Sequence, residues 1–529
     1  MKNKTVLAVT LVLVLFISLY LGTIVASGDV VELSGWFGVT LLVLFLIKGY
    51  QFAWQVALFI VWGNISFIVG FRLQPIHAAA IILGLFLLSS LMLGARLPKK
   101  VPLKAVGLTG LNIVMLTFLI FGVLHLGFSR VFPHIPNEFS VGNSAKAYFT
   151  TFFPVALLLF GLNTQIGFQV RQNWVRIFFI VMTMAVVGNV VYLLYLYING
   201  FSTQDNAGLD EIGIVHIPLI NAVPHHFAMR NLGPLAVLFG FGFLTSPGWW
   251  REQSFIMKII TLTIIVAGLG GSIMSGGRAA VGMCLLFFAA IAFYRKKIEL
   301  IMMAFLAGVL IVVFANLFST LINDKAPMFV ARPLQYFMFE KGYAMKTIDS
   351  SQNQRNALFV AAIDDWRSAP RVTIIGRGIY RHSYTAKELK LTIGEEAAFV
   401  EVNLRAGTCH ALIPSALVQY GIVGIILFLL IWVFLLRFNW KLYKLLKRQG
   451  FSQEIQSITF CLFIYNCLRI VIDLVAGGWM SVFTVIMLIL IRSRMSYELS
   501  NQIESERGEQ SGSEKNRAFW NHPNSAFQP

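Results

Sequence analysis

Uninterrupted apolar segments of about 17 to 25 residues recur along almost the whole chain, each long enough to cross the ~30 Å hydrocarbon layer of a bilayer. Such a chain must satisfy its backbone hydrogen bonds within each segment, because lipid offers neither donors nor acceptors, so helices are the expected element. The balance of residues agrees. Of 529 residues, 57% are hydrophobic and only 12% charged, with a mean hydropathy of +0.74, whereas water-soluble globular chains carry about 25% charged residues.

The apolar pattern predicts an all-α, polytopic membrane protein with about 14 spans, at 5–27, 33–49, 53–71, 76–95, 105–126, 149–170, 174–197, 230–245, 259–275, 279–294, 298–320, 411–436, 457–476 and 479–493. About 11 of them occupy residues 1–320, a large loop fills 321–410, and about three lie in 411–495. The remainder, 496–529, carries Glu504, Glu506 and Glu509 among Gly and Ser and reads as a disordered tail. Lys2 and Lys4, Lys48, Arg96 with Lys99, Lys100 and Lys104, Arg171 and Arg176, Arg251 and Lys258, Arg295 to Lys297, the run from Arg437 to Arg448, and Arg492 with Arg494 fall on alternate connections. By the positive-inside rule these connections and both termini are cytoplasmic. The first apolar run is longer than the core of a signal peptide and reads as an uncleaved span.

A formal charge of +18 could suit nucleic acid. Most of these cations are topology signals beside anionic lipid, and no basic region interleaved with aromatics sits on a soluble domain, so nucleic acid is not an expected partner. Four cysteines, Cys284, Cys409, Cys461 and Cys467, form neither a disulfide framework nor a metal-type spacing.

On this topology the outward side receives short connections, moderate loops at about 127–148 and 198–229, and the loop 321–410, whose length alone marks it as functional. Within it Leu358, Phe359, Ala362, Ile363 and Trp366 recur at helical spacing, predicting an amphipathic helix over about 354–368 that Pro370 ends. Val372 to Ile375 reads as a short extended piece entering a tight turn at Gly376 and Gly378.

Outward cations are more informative than inward ones, because the topology rule does not require them. Arg278 follows Ser275-Gly276-Gly277 at a membrane boundary. It is either an arginine snorkelling to the interface or an anion anchor whose flanking glycines let a bulky headgroup approach. Arg355 is either a surface cation paired with Asp364 or Asp365, or a second anion ligand; the two adjacent acids themselves read as a solvated face. His410 stands where the loop enters a span, ahead of Gly421-x-x-Gly424, a spacing that lets helices pack closely. Arg230, beside His225 and His226, and Arg377 are secondary candidates; Arg469 and Asp473 are spaced to pair within a span.

Three elements in order, Ser275-Gly-Gly-Arg278, then Arg355 to Trp366, Pro370 and Gly376-Arg-Gly378, then His410-Ala411 with Gly421-x-x-Gly424, resemble the bacterial O-antigen ligase and O-antigen polymerase superfamily. The resemblance covers roughly 270–440. Ala411 stands where that family usually has Asn, Ser or Gln, and about 14 spans exceed its usual twelve. The resemblance implies a C-type glycosyltransferase fold in the bacterial inner membrane. It also implies a periplasmic active site that takes a glycan from undecaprenyl diphosphate without metal or other cofactor, with lipid A–core or another surface glycan as acceptor. Arg278 and Arg355 are then expected to bind the donor diphosphate and His410 to act as general base. A repeat-unit polymerase is the alternative within the same chemistry, and a lipid-linked glycan transporter or flippase is the alternative of another class.

Overall fold

The computed structural model describes residues 52–520 except 63–64, 70, 74, 93–95, 132–139, 144, 171–172, 199–214, 218–219, 223–225, 247, 276–277, 326–330, 332–333, 336, 341, 379, 383–394, 407–408, 410–411 and 477–480. The first two expected spans, 5–27 and 33–49, lie outside these residues.

In chain order the described elements begin with α1 (Ala53–Trp62), β1 (Ile65–Val69), β2 (Phe71–Leu73), α2 (Pro75–Met92), α3 (Leu108–Val131), β3 (Ser140–Asn143), α4 (Ala145–Asn163) and α5 (Trp174–Ile198). There follow β4 (Val215–Ile217), β5 (Ile220–Ala222), α6 (His226–Leu244), α7 (Trp249–Glu252), α8 (Phe255–Met274), α9 (Arg278–Tyr294), α10 (Ile298–Leu317) and α11 (Ser319–Lys325). The chain continues through α12 (Tyr343–Arg367), α13 (Pro370–Ile375), β6 (Tyr380–His382), α14 (Glu395–Ala406), α15 (Leu412–Arg448), α16 (Gln453–Ala476) and α17 (Val482–Trp520). Among the described residues four helical stretches are long and apolar enough to cross a membrane: Leu108–Phe128, Trp174–Tyr195, Phe255–Met274 and Ile413–Arg448. Their outward faces carry large apolar side chains such as Val123, Tyr195 and Val266, as lipid contact requires.

The predominantly helical architecture with apolar, membrane-length helices is as expected, and three local expectations need correction. The span expected over 53–71 stops at Trp62, and the chain turns into the β1–β2 hairpin. Strands therefore accompany the helices: β2, β1, β5 and β4 form an antiparallel sheet in that order, and β3 pairs with β6. Residues 372–375 are helical, because Pro370 occupies the first turn of α13, where its missing N–H costs nothing. The polar tail from 496 continues α17 as far as Trp520 instead of leaving it at once. Its start is pinned, with Glu498 accepting from Arg494 Nε at 2.8 Å and from Ser452 Oγ at 2.7 Å, just ahead of α16.

The core is aromatic and close-packed. Phe178, Phe179, Phe239, Phe243, Trp62 and Phe483 meet edge-to-face or tilted across α1, α5, α6 and α17. Helices α6 and α8 touch backbone to backbone, since a Cβ on Gly233 would lie 2.7 Å from the Gly268 carbonyl oxygen and one on Gly268 would lie 2.8 Å from that of Gly233. Buried Arg492 of α17 donates to the carbonyls of Gly161, Thr164 and Ile166, closing groups that the end of α4 leaves open.

Candidate functional site

The segment 370–421 is organised around one crossing of backbones. Helix α15 breaks at Gly421, which holds φ 64 and ψ −166 inside an otherwise helical run. The break removes the helical partners of the carbonyls one turn earlier, and the turn after α13 replaces them. Arg377 N donates to Val418 O at 2.9 Å and Gly378 N donates to Gln419 O at 3.0 Å. Gly376 lies so close to Gln419 and Tyr420, and Gly421 so close to Ile374, that a Cβ on either would overlap main-chain atoms. Both also have positive φ, so glycine is needed twice over. The first glycine of Gly421-x-x-Gly424 thus serves a kink.

The Arg377 guanidinium then gathers the loop helices. It is 2% exposed, its Nη1 lies 3.1 Å from Asp365 Oδ1 on α12, and its Nη2 donates to the Leu404 carbonyl on α14. Asp365 is therefore half of a largely desolvated ion pair, not part of a solvated face; Asp364 is exposed. The corner between α12 and α13 is fixed reciprocally: Trp366 Nε1 donates to Thr373 O and Thr373 Oγ1 donates to Trp366 O, both at 3.0 Å. Leu358, Ala362, Leu404, Cys409 and Val418 pack beneath as a small apolar core. Replacing Arg377 by methionine is expected to cost about 3 kcal/mol, because the Asp365 carboxylate and Leu404 carbonyl lose a buried donor. Thermal unfolding of the two proteins in the same lipid nanodisc measures this, and an unchanged midpoint rules the pair out as a structural tie.

A histidine from the membrane helices completes the crossing. His125 of α3 is 4% exposed and uses both ring nitrogens. Nε2 lies 2.7 Å from Ile375 O, which only accepts, so the proton sits on Nε2 and Nδ1 accepts from the Tyr148 hydroxyl at 2.6 Å. Tyr420, next to the kink, stands 5.4 Å from the imidazole and donates to Thr151 Oγ1 at 3.3 Å.

The sequence-expected residues fall into two groups. Arg377 belongs to the crossing, and Arg355 projects exposed from α12, a helix of the same unit. Arg230 of α6 is half-buried and reaches Ser275 O at 3.4 Å, at the end of α8 and three residues before Arg278. Arg278 is the first residue of α9, and its side chain is not among those described. Arg469 donates to Asn231 Oδ1 at 2.7 Å, next to Arg230 in sequence; the side chain of Asp473, its expected partner, lies outside the described residues. His410 also lies outside them, but its neighbour Cys409 is buried, its N–H donating to Ser415 Oγ at 3.0 Å. Burial pushes the Cys409 thiol up to about 11, against the opposing Arg377 charge, so it stays protonated and unreactive near neutral pH.

No protein-family model matches this chain, and no curated protein matches it. Among the described residues no cluster of three or more His, Cys, Asp or Glu is arranged to hold a metal ion. What the arrangement offers is one buried guanidinium, Arg377, whose turn is tied to Leu404 on α14 and to Val418 and Gln419 on α15. His125 and Tyr148 escaped the sequence reading, although an ionisable residue inside an apolar run was the available signal.

Proposed function

We propose that the protein transfers a glycan from undecaprenyl diphosphate to an acceptor hydroxyl at the outer face of the membrane, as an O-antigen ligase would, with lipid A–core or another surface glycan as acceptor. The observation that carries the reading is the crossing of Gly376-Arg-Gly378 on Gly421. Two motif elements far apart in sequence are built against each other, and His410 lies between them in the sequence. The reading keeps the expectation of about 14 spans, a C-type glycosyltransferase fold and cytoplasmic termini.

The reaction sets two demands. Cleavage of the sugar–diphosphate bond leaves negative charge on phosphate oxygens, and guanidinium groups, always protonated and able to bind oxygens in pairs, stabilise it; Arg278 and Arg355 take this role. The acceptor hydroxyl is a weak nucleophile, so His410 removes its proton as the oxygen attacks the anomeric carbon. The bond to the diphosphate breaks with its electron pair passing to the phosphate oxygen, the proton stays on the imidazole, and direct displacement inverts the anomeric centre. No divalent metal takes part in this scheme.

Deletion in the native host separates the acceptors. The proposal expects long undecaprenyl-linked chains to accumulate while the core stays unmodified. Single repeat units attached to core would instead identify a repeat-unit polymerase, and an activity abolished by EDTA and restored by Mg²⁺ or Mn²⁺ would refute the arginine scheme.

A further inference from the structure

We propose that Phe337 and Phe339, near the start of the loop 321–410, anchor that loop in the membrane by inserting among the acyl chains of the leaflet at the C-terminal end of α10. The partner is lipid. The proposal stands apart from the glycan-transfer reading, because none of its residues is assigned to donor or acceptor.

Local folding keeps both rings outside. Met338, between them, is buried with Ala315, Ile322 and Ala331 in a small apolar cluster at the end of α10. Asn316, in the last turn of α10, clasps the backbone on either side of Met338: its Nδ2 donates to Phe337 O and its Oδ1 accepts from Phe339 N, both at 2.7 Å. Buried Gln335 donates to Asn323 Oδ1 on α11 and accepts from Gly342 N at 2.8 Å. Turning the phenylalanines inward would break these bonds, and Phe337 and Phe339 stand 46% and 87% exposed. Two phenylalanines pinned outward beside other apolar side chains form a patch that water covers poorly.

Two observations point to lipid as the cover. Helix α10 has 20 residues, so it is about 30 Å long and matches the hydrocarbon layer. Asn316 is its next-to-last residue, which puts the phenylalanines bonded to it level with the boundary between acyl chains and headgroups. The apolar surface is also continuous, because Phe305, Leu310, Phe314 and Leu317 are exposed along α10 and Phe318 and Leu321 extend that surface past its end. The Asn316 and Gln335 bonds engage main-chain groups of Phe337, Phe339 and Gly342 that insertion would otherwise strip of water. Helix α12 begins just after Gly342, so the anchor fixes where the longest helix of the loop starts relative to the bilayer.

The test uses the full chain in nanodiscs of phosphatidylethanolamine and phosphatidylglycerol, with a nitroxide label on one introduced cysteine. Phe339→Cys and Phe337→Cys are compared with Val313→Cys on α10 and with Gln449→Cys, exposed in the connection between α15 and α16. The unsubstituted protein reports any labelling of its own cysteines, of which Cys284, Cys409 and Cys461 are buried. Power saturation is read with oxygen, which collects among acyl chains, and with a nickel chelate, which stays in water. Labels at 337 and 339 are expected to favour oxygen, as at 313, and to lie about 5–10 Å inside the headgroup level. Asn316→Leu keeps side-chain volume and loses the clasp, so it is expected to make the label at 339 shallower and more accessible to nickel. Nickel accessibility at 337 and 339 equal to that at 449 overturns the proposal by placing the loop in water. Exclusion of both reagents with spin–spin broadening overturns it by placing a second copy of the chain there. A depth at 339 that ignores Asn316→Leu overturns the clasp, and if that variant does not fold, the labels at 337 and 339 still decide insertion.

Discussion

Replacing Gly421 by alanine is expected to destabilise the protein by about 3 kcal/mol or more, and more than any other single glycine-to-alanine change in α15. Two costs combine. The residue sits at φ 64 and ψ −166, a conformation that a side chain opposes. The new Cβ would also strike the Ile374 carbonyl and the Gly376 amide, which are main-chain atoms and cannot swing aside. Gly376→Ala should cost a similar amount, and because the two positions face each other across one contact, the double variant should cost less than the sum. Gly188→Ala is the control: it lies in α5 with open space around a built Cβ, so it should be neutral or gain about 0.5 kcal/mol. Thermal unfolding of all four proteins in matched nanodiscs decides the matter, and a Gly421→Ala midpoint equal to that of Gly188→Ala would remove the crossing from the account.

Replacing His410 by alanine is expected to lower glycan transfer by about 10²–10⁴-fold, the usual contribution of a positioned general base. Donor binding should survive, because the diphosphate is assigned to Arg278 and Arg355. The loss should therefore appear in kcat with little change in KM, the pattern of an interaction made only in the transition state. A transporter has no need of a base, so a variant that still moves lipid-linked donor at the wild-type rate, and never forms product in either protein, would favour the transport reading. Equal loss of donor binding and turnover would instead show that His410 shapes the donor site.

Helices were legible where hydropathy and length coincide, as at 174–197, which matches Trp174–Ile198 closely. The amphipathic stretch read over 354–368 lies in the C-terminal part of α12, where Leu358 and Ala362 are fully buried and Asp364 and Arg367 are exposed. Hydropathy could not show that 65–73 leaves the helix, because Ile65, Phe67 and Val69 are as apolar as a span; pairing with Ile220–Ala222, far along the chain, is a non-local fact. The β-branched run Val372-Thr-Ile suggested extension, and it was overridden by the proline start of α13 and by Thr373 bonding back to the corner. The polar composition of the tail points to disorder, whereas the spacing of Arg494 and Glu498, one helical turn apart, lets them pair and carries α17 past its apolar part. At the candidate site, the glycines and arginines were visible as types, but their partners were not. Nothing in the order of residues says that Arg377 turns toward Asp365 and Leu404, or that His125 reaches the end of α13.

Purified protein in nanodiscs, supplied with an undecaprenyl-diphosphate-linked glycan and its acceptor in the presence of EDTA, is the decisive experiment for glycan transfer. Protein-dependent release of undecaprenyl diphosphate is expected, together with a new glycosidic bond of inverted anomeric configuration. Product with retained configuration, or an intact donor with no bond formed, would contradict direct displacement by the acceptor.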